Sequence, residues 1–128
     1  MNTNIEWIIL ITSRYKTSRA FYGEKLGLPI AREVPEEEFC QFKLGNCFLA
    51  IYGKRFVETL VGKKRIGSPA SAIYSFAQTD DVDSLSQQLK VKGVQFIQEP
   101  KTQAWGQRTA YFCDPDGHIW EIQQWIKK

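Results

Sequence analysis

The chain is poor in the residues on which most metal and nucleophile sites depend. Its 128 residues include one histidine and three cysteines, and no two cysteines form a Cys-x-x-Cys pair. An odd number of scattered cysteines argues against a disulfide framework or a zinc knuckle and is typical of a reducing cytoplasm. A glycine-rich phosphate loop and a serine nucleophile elbow are also missing. We therefore expect a cytoplasmic protein that uses none of these sites.

Long hydrophobic runs and long stretches of one charge are missing as well. The apolar run at 5–11 contains Glu6 and is far too short to cross a bilayer. The N-terminus does not resemble a signal peptide. The net charge is +3, and basic residues cluster only at 63–65, whereas nucleic-acid-binding proteins usually carry a basic stripe and a reading element. We expect neither a membrane nor a nucleic-acid partner.

What the chain does have is an internal repeat. A strand, a tight turn and a strand are predicted at 41–52 and again at 111–122, which places Ala50 opposite Glu121. A strand followed by a helix that ends in glycine is predicted at 5–27 and 73–93, which places Trp7 opposite Tyr74. Two copies of one supersecondary unit should enclose a cleft lined by equivalent positions.

The predicted elements give an α+β fold made of two βαβββ modules in a single domain, 1–128. Module one covers about 1–53, a basic connection about 54–70, and module two about 71–128. The connection is either a solvated linker or a flap, with a short helix at 56–61. We expect Ser13 or Thr17 to cap the first helix and Asp80 the second, and a loop at 98–104.

Four segments, in this order along the chain, resemble the vicinal-oxygen-chelate superfamily: FYGEKLGL at 21–28, TDDVDSLSQQLKVKGV at 79–94, WGQR at 105–108 and DPDGHIWEI at 114–122. This superfamily includes glyoxalase I, extradiol dioxygenases and bleomycin resistance proteins. The resemblance implies two βαβββ modules whose sheets curl around a shared cavity, usually in a homodimer. Exposed strand edges, which are normally paired or protected, favour a homodimer as well.

The resemblance also implies four metal-ligand positions, which fall on Trp7, Ala50, Tyr74 and Glu121. Only Glu121 carries an ordinary ligand for a divalent ion, while a catalytic site needs about three protein ligands. His118 lies three residues from Glu121, so it should face the other side of the strand, and its place after a turn predicts that it is solvated. We predict no metal site and no cofactor.

Aromatic residues at two of these positions favour a stacking slot for a planar or cationic group. Glu121 would form its floor, and Arg108 is a candidate partner for that carboxylate, either in the site or as a purely structural pair. Trp105 resembles an aromatic of the drug groove in bleomycin-resistance-like members; it contacts a ligand or packs against protein. The predicted ligand-binding residues are Trp7, Ala50, Tyr74, Trp105, Arg108 and Glu121.

These expectations favour a metal-independent small-molecule-binding protein, including one that sequesters a drug or an aromatic metabolite. The alternative is a metal-dependent lyase, isomerase or dioxygenase of the glyoxalase I type, with ligands supplied from elsewhere. Glu121 is the only candidate catalytic residue, as a general base. A single carboxylate is thin support for catalysis, and we lean against an enzyme.

Overall fold

The computed structural model describes residues 1–126, and the chain forms two compact units, Met1–Ser68 and Pro69–Lys128. Each unit holds a mixed four-stranded sheet in which the first and last strands are parallel neighbours. The order of elements in each is strand, helix and three strands. The predicted α+β fold with two βαβββ modules is therefore confirmed.

Unit one has four strands in the spatial order β1-β4-β3-β2. Its strands and helical segments are β1 (Trp7–Thr12), α1 (Tyr15–Ala20) with a π-helical continuation (Phe21–Lys25), β2 (Ile30–Val34), a 3₁₀ turn (Pro35–Glu37), β3 (Phe39–Lys43) and β4 (Phe48–Gly53). The connection that follows contains α2 (Lys54–Val61) and a second 3₁₀ turn (Lys63–Arg65). The predicted short helix in this connection is thus present.

Unit two repeats the arrangement with the spatial order β5-β8-β7-β6. Its elements are β5 (Ile73–Ser75), α3 (Val82–Val91), β6 (Phe96–Thr102), β7 (Gln107–Cys113) and β8 (Ile119–Trp125). Among the described residues, no helix combines the length and apolar character needed to cross a membrane.

Alternation along the strands gives each sheet one face that packs against its helix. In unit one the buried side chains of that face include Cys40, Phe42, Leu49 and Ile51. In unit two they are Ala110, Phe112, Trp120 and Ile122, together with Val82 and Leu89 of α3. Since successive residues of a strand point to opposite faces, the intervening positions of each strand form the second face, where the predicted site residues are to be sought.

Several local predictions need correction. The side chain that caps α3 belongs to Asp81, whose carboxylate accepts from Ser84 N at 3.1 Å, and not to Asp80. No side chain caps α1; Thr12 Oγ1 instead accepts from Arg14 N at 3.0 Å. The strand β6 continues to Thr102, through most of the stretch predicted as a loop. Extended backbone that pairs with β7 satisfies its polar groups there.

A close approach of two backbones ties β3 to the end of β4. Glu38 adopts a left-handed conformation with φ 50°, rare for a residue with a side chain. Its carbonyl accepts from Gly53 N at 2.9 Å. A Cβ at Gly53 would overlap the Glu38 carboxylate and lie 2.8 Å from Glu38 Cβ. Position 53 therefore has room only for glycine while Glu38 keeps this placement.

Candidate ligand-binding site

Glu121 is held between two hydroxyl groups from neighbouring strands. On β8 it lies opposite Ser75 of β5 on one side and Tyr111 of β7 on the other. Ser75 Oγ donates to Oε1 at 2.6 Å, and Tyr111 Oη donates to Oε2 at 2.6 Å. Short bonds of this kind are typical of hydroxyl donors to a charged acceptor. Both carboxylate oxygens thus have a donor within unit two.

Tyr111 is suited to remain a donor in this arrangement. Its pKa is raised above the ordinary value, first because burial disfavours the phenolate and second because the hydroxyl donates to Glu121. Thr109 counteracts part of this rise through its own hydrogen bond. At neutral pH the Tyr111 hydroxyl therefore keeps its proton and points it at the carboxylate.

A row of amides extends the same sheet face beyond Glu121. Gln123 follows two residues later on β8, and Gln107 lies on β7 two residues before Thr109, the pairing partner of Gln123. Gln107 Nε2 donates to Gln123 Oε1 at 3.0 Å, and Gln123 Nε2 donates to the carbonyl oxygen of Phe76 at 3.2 Å. Glu121 and the two glutamines, all half-buried, form a continuous polar surface.

Trp105 stands at the end of this row with 59% of its surface exposed. Its indole Nε1 donates to Gln107 Oε1 at 2.9 Å. The turn that carries it is fixed by Gly106, which has φ 96° and donates from its N–H to the carbonyl oxygen of Gln103 at 3.0 Å. The indole is therefore exposed but oriented. Its predicted contact with a ligand stays a prediction.

Arg108 does not pair with Glu121. Because it alternates with Gln107 and Thr109 on β7, it lies on the opposite sheet face, where its guanidinium forms a two-pronged ion pair with Asp83 of α3 at 2.7 and 2.9 Å. This pair lowers the pKa of Asp83, mainly through the hydrogen bonds from Arg108. The predicted Arg108–Glu121 partnership was wrong, since it ignored the alternation of side chains along β7.

Tyr74 also lies on the opposite face from Glu121. It pairs with Trp120 across the β5–β8 ladder, and the two rings are 5.2 Å apart between centroids. In unit one the equivalent ladder pairs Ile9 with Ala50 and Trp7 with Phe48. The counterpart of Trp7 is thus Ile73, so the predicted equivalence of Trp7 and Tyr74 was wrong by one residue, which reverses the face.

Trp7 and Ala50 do share one face of their sheet in unit one. The Trp7 ring lies 5.2 Å from that of Phe48 and 6.3 Å from that of Phe39. Ala50 is fully buried beside this cluster and pairs with Gln41 on β3. This face is aromatic where the equivalent face of unit two is polar. A stacking role for Trp7 stays a prediction.

Nearly the whole chain resembles one known protein family. The profile of the Glyoxalase-like domain family matches residues 5–127. The chain belongs to the glyoxalase-like family. The uncharacterized protein YraH of Bacillus subtilis is 29% identical over 123 residues, covering 93% of this chain and 96% of YraH.

Solved structures of glyoxalase-like proteins share the fold. A glyoxalase/bleomycin resistance protein/dioxygenase from Nocardioides has a TM-score of 0.81 at 23% identity, covering 99% of this chain and 86% of its own. The lactoylglutathione lyase of Agrobacterium tumefaciens has a TM-score of 0.76 at 16% identity, covering 96% of this chain and 94% of its own. At these identities the likeness concerns the fold alone.

A divalent metal ion at a catalytic site needs about three protein ligands. Within residues 1–126 no three His, Cys, Asp or Glu side chains come together as a metal-binding group. Glu121 has hydroxyl neighbours in place of further ligands. His118 is buried beside the turn, 6% exposed, with its backbone N–H bonded to Asp114 Oδ1 at 2.8 Å. The expectation of a solvated His118 was wrong.

Four residues of the polar face escaped the sequence-based prediction: Ser75, Gln107, Tyr111 and Gln123 as a hydrogen-bonding set around Glu121. Alternation along β8 places Gln123 on the same face as Glu121, but the sequence pattern assigned no role to it. The turn at 114–117 would have revealed Tyr111, because it fixes the hairpin register that pairs Tyr111 with Glu121. Ser75 had no such signal, since the register of parallel strands is not set by a turn.

Proposed function

We propose that this glyoxalase-like protein binds a small molecule on the polar sheet face around Glu121 and does so without a metal ion. The observation that carries this proposal is the hydrogen bonding of both Glu121 oxygens to hydroxyls of Ser75 and Tyr111. A carboxylate held in this way is oriented by the protein itself and does not need a cation to fix it. Sequestration of the bound molecule, without chemical change, is the simplest use of such a face.

Two further features support a ligand-binding surface. Four polar side chains of this face are half-buried and hydrogen-bonded to a neighbour on it: Gln107, Tyr111, Glu121 and Gln123. Little of their conformational entropy therefore remains to be lost on binding. The indole of Trp105 is exposed and hydrogen-bonded at its edge, as expected of an aromatic that meets a flat ligand. Small-molecule sites commonly combine a few fixed polar groups with aromatic surface.

The first test is a metal analysis of the purified protein before and after dialysis against a chelator. We expect less than stoichiometric zinc, nickel, manganese and iron, and the same melting temperature after dialysis. Glu121→Gln should leave the metal content unchanged. Glu99→Gln, at an exposed carboxylate of the same unit that pairs with Lys90, removes the same charge away from the face and serves as the control.

One result of the metal analysis would contradict the proposal. Near-stoichiometric metal that is lost in Glu121→Gln and retained in Glu99→Gln would overturn the proposal in favour of a metal-dependent lyase, isomerase or dioxygenase. A thermal-shift screen of drug-like and metabolite compounds then tests binding, because a ligand that prefers the folded state raises its stability. If no compound stabilises the metal-free protein, the binding proposal fails.

A further inference from the structure

The amides of Gln107 and Gln123 are locked in one orientation by a directional relay. The indole N–H of Trp105 donates to Gln107 Oε1, Gln107 Nε2 donates to Gln123 Oε1, and Gln123 Nε2 donates to the Phe76 carbonyl. Each step runs the same way, from an obligate donor at one end to an obligate acceptor at the other. Neither amide can flip without breaking two of these bonds.

The relay uses only half of each amide. A glutamine side chain has two N–H donors and an oxygen with two lone pairs, and the relay takes one donor and one lone pair from each. Both side chains are half-buried on the sheet face that carries Glu121. One fixed donor and one fixed acceptor per amide are thus left for a bound molecule, next to a carboxylate whose oxygens already have donors.

We infer that this pair of glutamines selects a neutral, planar ligand with an amide group, whose adjacent N–H and C=O match the donor and acceptor of the relay. The inference rests on the proposed binding function of the same face. A carboxylate ligand offers acceptors alone and meets the charge of Glu121. An amidinium offers donors alone and leaves the glutamine donors without a partner. Of these three groups, only the amide meets both a glutamine donor and a glutamine acceptor, and unmatched polar groups weaken binding.

Three probes of nearly identical shape separate these cases: benzamide, benzoate and benzamidine. Each is titrated into the ¹⁵N-labelled full chain while the side-chain NH₂ signals of Gln107 and Gln123 are followed by NMR. We expect benzamide to shift both signals and to bind at least threefold more tightly than benzoate or benzamidine, as one neutral hydrogen bond implies. Benzamidine as the strongest probe would overturn the amide inference and leave the proposed binding face intact.

The variants Gln107→Met and Gln123→Met keep side-chain length and remove the amide. Each should weaken benzamide about threefold to tenfold and weaken benzamidine less, because an amidinium can pair only with the glutamine acceptors. Gln88→Met, at an exposed amide on α3, is the matched control and should bind all three probes as the wild type does. Unchanged benzamide affinity in both relay variants would overturn the inference. A failure of all three probes to shift these signals would overturn the amide inference as well, whereas the proposed function fails only if the wider compound screen also finds no ligand.

Discussion

The carboxylate of Glu33 on β2 accepts hydrogen bonds from two side chains of α1. The guanidinium of Arg19 binds both of its oxygens, through Nε and through Nη2, the latter at 3.0 Å. Tyr15 Oη donates to the same carboxylate at 3.1 Å and lies 3.0 Å from the Phe39 carbonyl oxygen. The hydrogen bonds from Arg19 hold the pKa of Glu33 below its usual value against the opposing effect of burial. Burial also raises the pKa of the adjacent Cys40 thiol to about 11, so this thiol stays protonated and unreactive.

Glu33→Gln should destabilise the protein at neutral pH and much less in acid. A carboxyl group with a depressed folded-state pKa contributes stability above its unfolded pKa of about 4.3 and loses it as the pH falls through the folded value. We expect the variant to lose about 1–2 kcal/mol at pH 7, measured by urea denaturation at pH 7 and pH 3. Glu36→Gln, at an exposed position, is the control. An equal loss at both pH values would contradict the role of charge.

The residues around Glu121 show what a sequence can and cannot reveal about a site. Glu121 itself followed from the repeat and from the resemblance to a known superfamily. Tyr111 follows from hairpin register alone, since the turn pairs Cys113 with Ile119 and every pair behind them. Arg108 was misplaced because charge complementarity was considered before strand alternation. Side-chain relays such as Trp105–Gln107–Gln123 depend on rotamers, which no sequence pattern encodes.

Among the elements, the short strand β5 caused the largest error in the predicted site. It is only three residues long, so a shift of one residue in its alignment with β1 was hard to detect. That shift moves Tyr74 from the face of Glu121 to the face of Trp120 and Phe76, whose rings stack 4.7 Å apart. By contrast, the sequence did predict the glycines that end the helices and the two tight-turn hairpins, because turn chemistry is local.

Tyr74→Ala should therefore behave as a packing change. We expect the free energy of unfolding to fall by about 1–3 kcal/mol, less than the 3–5 kcal/mol of a fully buried ring, because Tyr74 is half-buried. Benzamide affinity of the folded fraction should stay the same. Ser75→Ala, one residue along the strand, should instead keep the contact between the Tyr74 and Trp120 rings and remove one hydrogen bond to Glu121. Loss of affinity without loss of stability in Tyr74→Ala would restore Tyr74 to the ligand site.

At the scale of the whole molecule, one topology has been used twice with different chemistry. Unit one lines the face around Ala50 with aromatic rings, and unit two lines the face around Glu121 with hydroxyls and amides. The repeat was visible in the sequence because strands, glycines and turns recur in the same order. The difference in chemistry was visible only in part. The sequence pointed to Glu121, but it did not reveal the hydrogen bonds that surround this residue, which come from Ser75, Gln107, Tyr111 and Gln123.

We predict that the protein is a homodimer. Each sheet ends in edge strands, and large aliphatic side chains such as Ile9 on β1 and Ile73 on β5 are half exposed or more. Proteins usually cover such edges by association. Sedimentation velocity at micromolar concentration should give a species of about twice the chain mass of 14.8 kDa. A single species at the chain mass would refute the prediction.

The contact between Glu38 and Gly53 has a consequence for how sequences of this kind can diverge. A Cβ at position 53 would meet the Glu38 carboxylate and lie 2.8 Å from Glu38 Cβ, so a shorter side chain at 38 would still collide with it and only glycine there would make room. Glycine at 38 would also suit the left-handed backbone of that residue, φ 50°. Although the two positions are fifteen residues apart in the chain, a side chain can therefore enter position 53 without a clash only after position 38 has become glycine.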